Sequence, residues 1–399
     1  MTSPALEKTL GELVTLQNEK IFANKKIELP YIGLEHIASG IPRLLGVAES
    51  GSSVSVNSVF KKDDILFGKL RPNLRKSLRA PFPGYCSTDI LVLRCLPNVM
   101  PAFAGHVLQW ERVFSAASAT ATGTKMPRAS WNDLSRLPVF LPESIAEQSR
   151  VAAILDAVAK QIAQTHVELQ KVEQIRTGLL RDLLTLGLDK NGERRDPNAH
   201  PEQFKDGPVG RIPETWAVKS LRDCLSESPQ NGIYKPPSMI GYGTLLIGQT
   251  SIREDRFLNI DLARRASISI DELHRYGIQN GDILVSRVFA TLSGVGQPAF
   301  VSNLYEPAVY ESNMMRLRTR PESILPILLF HWLQHERTRR LLLSRVNLST
   351  QASVNQYALN HLPITIPRHD EQKAMVQCIE TINEQQKATL ADQNKLMGI

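Results

Sequence analysis

Leu137-Pro138-Val139-Phe140-Leu141-Pro142, then Glu147-Gln148, then the stretch from Val151 to Leu183, decides how this chain is built. Proline removes a backbone donor and disfavours helix in the residue before it, so the first six residues read as extended. Beyond them the apolar spacing becomes helical. Val151, Leu155, Val158, Ile162, Thr165, Leu169, Val172, Arg176, Leu179 and Leu183 follow in steps of four and three, and eight of the ten are apolar. That is a coiled-coil-like seam. No proline falls within 143–196, so about 40 residues can form one rod of roughly 60 Å.

The same order occurs a second time. Leu362-Pro363-Ile364-Thr365-Ile366-Pro367 stands 225 residues later, and Glu371-Gln372 lies 224 residues after Glu147-Gln148. His106-x-Leu108-Gln109-x-Glu111-Arg112 recurs at 225 as His331-x-Leu333-Gln334-x-Glu336-Arg337. Asp64-Ile65-Leu66 matches Asp282-Ile283-Leu284 at 218, and Ile32-Gly33 matches Ile247-Gly248 at 215. The offset drifts upward as small loop insertions would make it, and five matches in one order mark an internal duplication. Each copy reads as a block of short strands and loops with one helix, around 101–118 and 322–345, closed by the extended segment and followed by a long helix.

In the second long helix the seam positions are Met375, Ile379, Ile382, Leu390 and Leu396, diluted by Gln386, Thr389 and Gln393. A lone rod would expose its apolar stripe, so the two rods are expected to pack on each other, antiparallel. The alternative is that each packs on its own block. The expected class is α+β: two similar α/β globular domains separated by two long helices packed as an antiparallel coiled coil. The expected division is a first domain at 1–142, a central helix at 143–186, a turn-rich linker at 187–212, a second domain at 213–367 and a shorter C-terminal helix at 368–399.

Composition excludes several classes. In 399 residues, 42% hydrophobic and 22% charged side chains argue against wholesale disorder. Mean hydropathy is −0.18, and no run approaches the ~18 apolar residues of a membrane span. The N-terminus lacks a basic stretch followed by an apolar one, which argues against a signal peptide. Cys86, Cys95, Cys224 and Cys378 lie far apart with no C-x-x-C, against a zinc site or disulfide scaffold. A reducing, cytoplasmic setting is expected.

The net charge of +7 is unevenly placed. Residues 1–145 carry 17 basic and 12 acidic side chains, residues 146–212 carry 10 and 10, residues 213–369 carry 17 and 13, and residues 370–399 carry 3 and 5. Two positive blocks on a neutral frame suit a polyanion binder with two contact points. Catalytic patterns are missing. His331 and His335 have the i, i+4 spacing of a helical zinc site but lack the glutamate of H-E-x-x-H, and His335 aligns with Trp110. Gly123-Thr124-Lys125 lacks the upstream glycine of a phosphate loop. There is no G-x-S-x-G, no G-x-G-x-x-G and no [ND]-P-P-[FY]. No catalytic residue, no metal and no cofactor is therefore expected in this chain.

Candidate contacts to nucleic acid come in clusters. Lys61, Lys62, Lys69, Arg71, Arg75 and Lys76 fall close together in the first block, with Lys125 and Arg128 further on; Arg253, Arg256 and Arg287 are their counterparts in the second. Lysine and arginine neutralise phosphates, and arginine also grips guanine edges. Gln351 and Asn355 could read adenine. Solvated surface charge is the competing explanation for each residue alone.

The run Leu137-Pro138…Pro142…Glu147-Gln148-x-Arg150-Val151-Ala152, with Arg181-Asp182-Leu183-Leu184 and Gly210-x-Ile212-Pro213-x-x-Trp216, resembles the central region of specificity (S) subunits of type I restriction-modification systems. Ser349-Thr350-Gln351-Ala352-Ser353-Val354-Asn355-Gln356 resembles the end of that family's target recognition domain, and Phe67-Gly68-Lys69-Leu70-Arg71-Pro72 a variant of the first such domain. Ser144-Ile145-Ala146 departs from the usual proline-leucine approach to Glu147-Gln148. The resemblance implies a chain that is itself not an enzyme but the DNA-recognition subunit of an adenine methyltransferase and site-specific deoxyribonuclease complex. Each domain would read one half of a split, asymmetric target in double-stranded DNA. The helices would set the spacing and dock two methyltransferase subunits. S-adenosylmethionine would belong to those subunits, and ATP and magnesium to restriction subunits, up to two of which can join. No membrane partner is expected. Two other readings remain open: a coiled-coil interaction scaffold without DNA recognition, and the DNA-reading subunit of another bipartite restriction system.

Overall fold

The computed structural model describes residues 6–22, 29–48, 56–123, 125–348 and 352–398. The chain divides into two compact units, Met1–Gln164 and Thr165–Ile399. The division falls inside a single helix, Ile145–Thr185, of 41 residues.

In the first unit an antiparallel sheet runs in the order Val14–Leu16, Ile90–Cys95, Ile65–Gly68, Ser77–Arg79. All four residues of Ile65–Gly68 are buried, as a strand covered on both faces requires. Alternate side chains point to opposite faces. Ile65 and Phe67 pack with Phe103, Val107 and Phe114 of the helices Pro101–Val107 and Glu111–Ala119. Leu66 faces the other way, into a cluster with Ile32, Phe60 and Cys86 of a second sheet. That sheet runs Lys20–Phe22, Val56–Phe60, Gly84–Cys86, Tyr31–Ile32, its last pair parallel.

The second unit repeats the plan. Its four-stranded sheet runs Gln230–Asn231, Met314–Leu317, Ile283–Ser286, Pro298–Phe300. Ile283 and Val285 pack with Leu329, Phe330 and Leu342, from the helices Pro326–Gln334 and Glu336–Leu343. Leu284 faces Leu245, Ile247 and Tyr310, in a second sheet that again contains a parallel pair. The extended segments pair antiparallel with the start of their own block, Thr9 opposite Pro138 and Ser220 opposite Pro363.

Two buried side-chain networks are duplicated with the backbone. Gln148 Oε1 accepts from Met100 N–H (2.9 Å), and its Nε2 donates to the carbonyls of Asn98 (3.2 Å) and Pro142 (2.8 Å). Gln372 makes the same three bonds, with Leu325 N–H (2.9 Å), Ser323 O (3.0 Å) and Pro367 O (3.0 Å). Each glutamine thus ties the start of a long helix to the end of the extended segment before it. The other network is a carboxylate under the turn that leads into the central strand. Asp64 accepts from Lys61 N–H (2.7 Å) and pairs bidentately with Arg94 (2.8 and 2.7 Å). Asp282 accepts from Gln279 N–H (2.9 Å) and pairs with Arg318 (2.8 and 2.7 Å).

Three features depart from the sequence reading. The single helix expected around 101–118 is two, Pro101–Val107 and Glu111–Ala119, and that around 322–345 is likewise two, Pro326–Gln334 and Glu336–Leu343. The chain turns extended at Trp110 (ψ 140°) and at His335 (ψ 140°), the same duplicated position. The stretch 187–212 is no bare linker. It forms the hairpin Phe204–Gly207 with Gly210–Pro213, because Leu188, Phe204 and Ile212 are apolar enough to bury. Third, the ends of the seam belong to the blocks. Val151 packs on the first core, whereas Met375 and Ile379 are buried in the second alongside Leu183 and Leu184. The glutamine tethers hold these first helical turns against their blocks, so they serve as core. Val158 is 37% exposed, Leu155, Ile162 and Leu169 are half-buried, and Val172 and Ile382 are buried.

Within the second unit the C-terminal helix His369–Met397 runs antiparallel to residues 165–185. Arg176 Nε donates to Asn383 Oδ1 (2.9 Å), and Gln386 Nε2 donates to Glu173 Oε2 (2.7 Å). One number falls by three as the other rises by three, which fixes the direction of the pair.

Candidate nucleic-acid interface

The loop leaving the central strand has the same framework in both units. In the first it spans 69–76, between Ile65–Gly68 and the edge strand Ser77–Arg79. Lys69 N–H donates to Asp89 O (2.9 Å), and Lys69 O accepts from Ala129 N–H (2.9 Å). In the second it spans 287–297. Arg287 N–H donates to Asn313 O (2.8 Å), and Arg287 O accepts from Val354 N–H (2.9 Å). Lys69 and Arg287 are therefore structurally equivalent, a cation at the root of the same loop in each copy. The bonds hold the backbone while the side chains differ, which is how one fold presents two different surfaces.

Around that root the first unit gathers three strands of loop. Arg71 N–H reaches Pro127 O (2.8 Å), and Gly40 N–H reaches Arg75 O (3.1 Å). Arg71 and Arg75 both have positive φ, 50° and 51°, an uncommon backbone for a residue with a Cβ. They flank the short turn Pro72–Leu74. Arg71 and Lys125 are exposed and Lys69 half-buried, and among the described residues none of the three has an ion-pair partner. Lys61 and Lys62 are also exposed but lie elsewhere. They precede the central strand, about 13 Å away at its other end.

Several other candidates are committed internally. Lys76 Nζ donates to Leu34 O (2.7 Å). Arg128 pairs bidentately with Asp89 (2.8 and 3.3 Å), which holds its guanidinium above the usual range. Arg253 pairs with Asp255 (2.5 Å). Asn355 caps the helix Gln356–Asn360 by accepting from Ala358 N–H (2.8 Å). For these four the structure supplies a local explanation that the sequence did not. Arg75 is half-buried, stacks over the Phe114 ring (5.8 Å) and lies 3.7 Å from Glu111. Arg256 sits beside the edge strand with φ 67°, its carbonyl accepting from Phe300 N–H (2.9 Å). Arg287 Nε donates to Ser312 O (3.1 Å). Gln351 lies outside the described residues.

The sequence reading missed Arg339. It is 9% exposed, on helix Glu336–Leu343, and its Nη2 donates to Ser293 O (3.2 Å) in the 287–297 loop. Burial, then the nearby Arg256 cation, disfavours its charge. The signal that could have found it is an alignment at offset 225, where arginine replaces the apolar Phe114.

The zinc spacing of His331 and His335 does not survive folding, because the helix ends between them and His335 becomes the cap of the next. Among the described residues no three His, Cys, Asp or Glu side chains gather as metal ligands, and no helix is long and apolar enough to cross a membrane.

Residues 259–395 match the family model described as type I restriction modification DNA specificity domain. The MjaX type I restriction enzyme specificity subunit of Methanocaldococcus jannaschii is 27% identical over 192 residues, 46% of this chain and 45% of that one. The chain thus spans less than half of that relative. The MjaVIII specificity subunit of the same organism is 21% identical over 373 residues, covering 89% of this chain and 79% of that one. A chain from a solved type I restriction-modification assembly shares the fold, with a TM-score of 0.60 at 18% identity over 100% of this chain and 96% of the other.

Proposed function

We propose, from the premise that the chain belongs to the specificity subunits of type I restriction-modification systems, that it is the non-catalytic DNA-reading subunit of such a complex. Each unit reads one half of a split target in double-stranded DNA. The long helices set the gap and dock two methyltransferase subunits, which carry S-adenosylmethionine. Restriction subunits that use ATP and magnesium join the same assembly.

The observation that carries this reading is the equivalence of Lys69 and Arg287. One loop framework, duplicated bond for bond, begins with a cation in both copies and then diverges. A phosphate contact placed identically in two domains fixes register without carrying sequence information, and the divergent side chains beyond it then select bases. Different loops imply different half-sites, hence an asymmetric target.

The test is mapping of methylated adenines in cells expressing this chain with its methyltransferase. The expected result is one asymmetric motif with two short specified halves and a fixed unspecified gap. Exchange of residues 213–367 for those of another specificity subunit should change one half and leave the other. Absence of any motif, or a motif untouched by the exchange, overturns the reading.

A further inference from the structure

The two units place an arginine beneath the loop after the central strand, but each supplies it from a different element. Register sets the correspondence. Gly68 N–H donates to Lys76 O (2.8 Å), as Ser286 N–H does to Gln297 O (3.0 Å), so Arg75 corresponds to Gly296. Both take the left-handed conformation, φ 51° and 69°. The offset of 225 makes Phe114 correspond to Arg339 and Ala117 to Leu342.

In the first unit the loop residue Arg75 lies over the Phe114 ring (5.8 Å), and the same helix carries the small, buried Ala117. In the second unit the loop position is glycine and the helix carries the arginine. A Cβ built on Gly296 would meet Arg339 Nη1 at 3.1 Å and Leu342 Cδ2 at 2.5 Å. Leu342 and the Arg339 guanidinium together therefore fill, from the helix side, the space that a side chain at the loop position would enter. Three positions have changed together: Arg75, Phe114 and Ala117 in one unit, Gly296, Arg339 and Leu342 in the other.

We infer that this guanidinium is a positioning residue, the support that sets the reading loop of each domain for its half of the DNA target. The inference rests on the DNA-reading role proposed above. Arg339 acts through a bond to the loop itself, Nη2 to Ser293 O (3.2 Å). It has no carboxylate partner among the described residues, and its Nη1 makes no hydrogen bond there. A cation buried at such a cost, and contributing little to the core, is explained by the loop it holds. Arg75 braces its loop against the helix Glu111–Ala119, its guanidinium over the Phe114 ring (5.8 Å) and 3.7 Å from Glu111. Its own carbonyl accepts from Gly40 N–H (3.1 Å), tying a neighbouring loop to the one it braces.

The experiment uses the full chain with its methyltransferase partner and reads discrimination separately at the two half-sites. Arg339→Gln keeps most of the packing and removes the charge and the planar fork. It should lower discrimination about tenfold at the second unit's half-site, the scale of one hydrogen bond to a charged group, and leave the other half unchanged. Arg75→Gln should do the reverse. The triple variant Gly296→Arg, Arg339→Phe, Leu342→Ala moves the guanidinium from helix to loop and should restore the second half-site. A merely structural arginine would show equal losses at both halves, tracking the fall in melting temperature. Unchanged discrimination in Arg339→Gln overturns the inference, as does a folded triple variant that restores nothing. A parent chain that directs no sequence-dependent methylation overturns the DNA-reading role and the inference with it.

Discussion

Duplication gives single residues a built-in comparison, and the two histidines of the repeated H-x-L-Q-x-E-R element show what it reveals. His106 Nε2 lies 2.9 Å from Asp156 Oδ1 on the long helix. His331 is buried, its Nε2 has no hydrogen-bond partner among the described residues, and its charged neighbour is Arg176. Burial first, and the Arg176 cation second, push the His331 imidazole down to about 4, from 6.5 in an unstructured chain. A depressed histidine favours the neutral form in the folded protein. Between pH 6.5 and 4 the unfolded chain therefore binds the extra proton, and stability falls as pH falls through that window. The contribution is fully present above pH 6.5 and lost towards pH 4. His331→Gln removes the titration and should flatten this part of the curve of melting temperature against pH in the second unit. A variant curve parallel to the parent's would show that His331 is not the group responsible.

At the scale of elements, the glutamine tethers explain why an extended segment and a long helix follow each other at fixed spacing in both copies. Gln148→Ala would leave Met100 N–H without its acceptor and the Asn98 and Pro142 carbonyls without a donor. A buried group left unsatisfied costs roughly 1–3 kcal/mol, so a loss of about 3 kcal/mol is expected in chemical denaturation. Gln372→Ala should behave alike, since its three bonds are equivalents. A loss under about 1 kcal/mol would mean that water or neighbouring groups satisfy the same atoms. This motif was legible in sequence because proline and heptad spacing act locally. The break at Trp110 and His335 was not, because apolar spacing runs on through both positions and only the extended backbone there reveals the cap. The hairpin within 187–212 was hidden by its glycines, prolines and charges, which describe its turns but not the burial of Leu188, Phe204 and Ile212. Charge clusters misled for a related reason. Composition counts Arg128 and Lys76 as available cations, whereas folding gives them Asp89 and the Leu34 carbonyl. The change of element between Arg75 and Arg339 was invisible to any reading that matched like with like.

At the scale of the whole molecule, the proposed division of labour puts base choice in the loops and gap choice in the helix Ile145–Thr185. These roles separate cleanly under insertion. Four residues added after Lys160 extend the helix by about 6 Å and advance it by about 40° beyond a full turn. The Arg176–Asn383 and Glu173–Gln386 pairs lie on the far side of the insertion and keep their register. Successive base pairs of duplex DNA advance about 3.4 Å and about 34–36°. The two halves of the target should then keep their sequences while the gap between them lengthens by one or two base pairs, as read from the methylated motif. If the gap stays fixed, spacing is set elsewhere, by the partners that clamp the DNA. If a half-site changes instead, helix and loops are coupled, and each domain cannot be treated as a separate reading head on a common ruler.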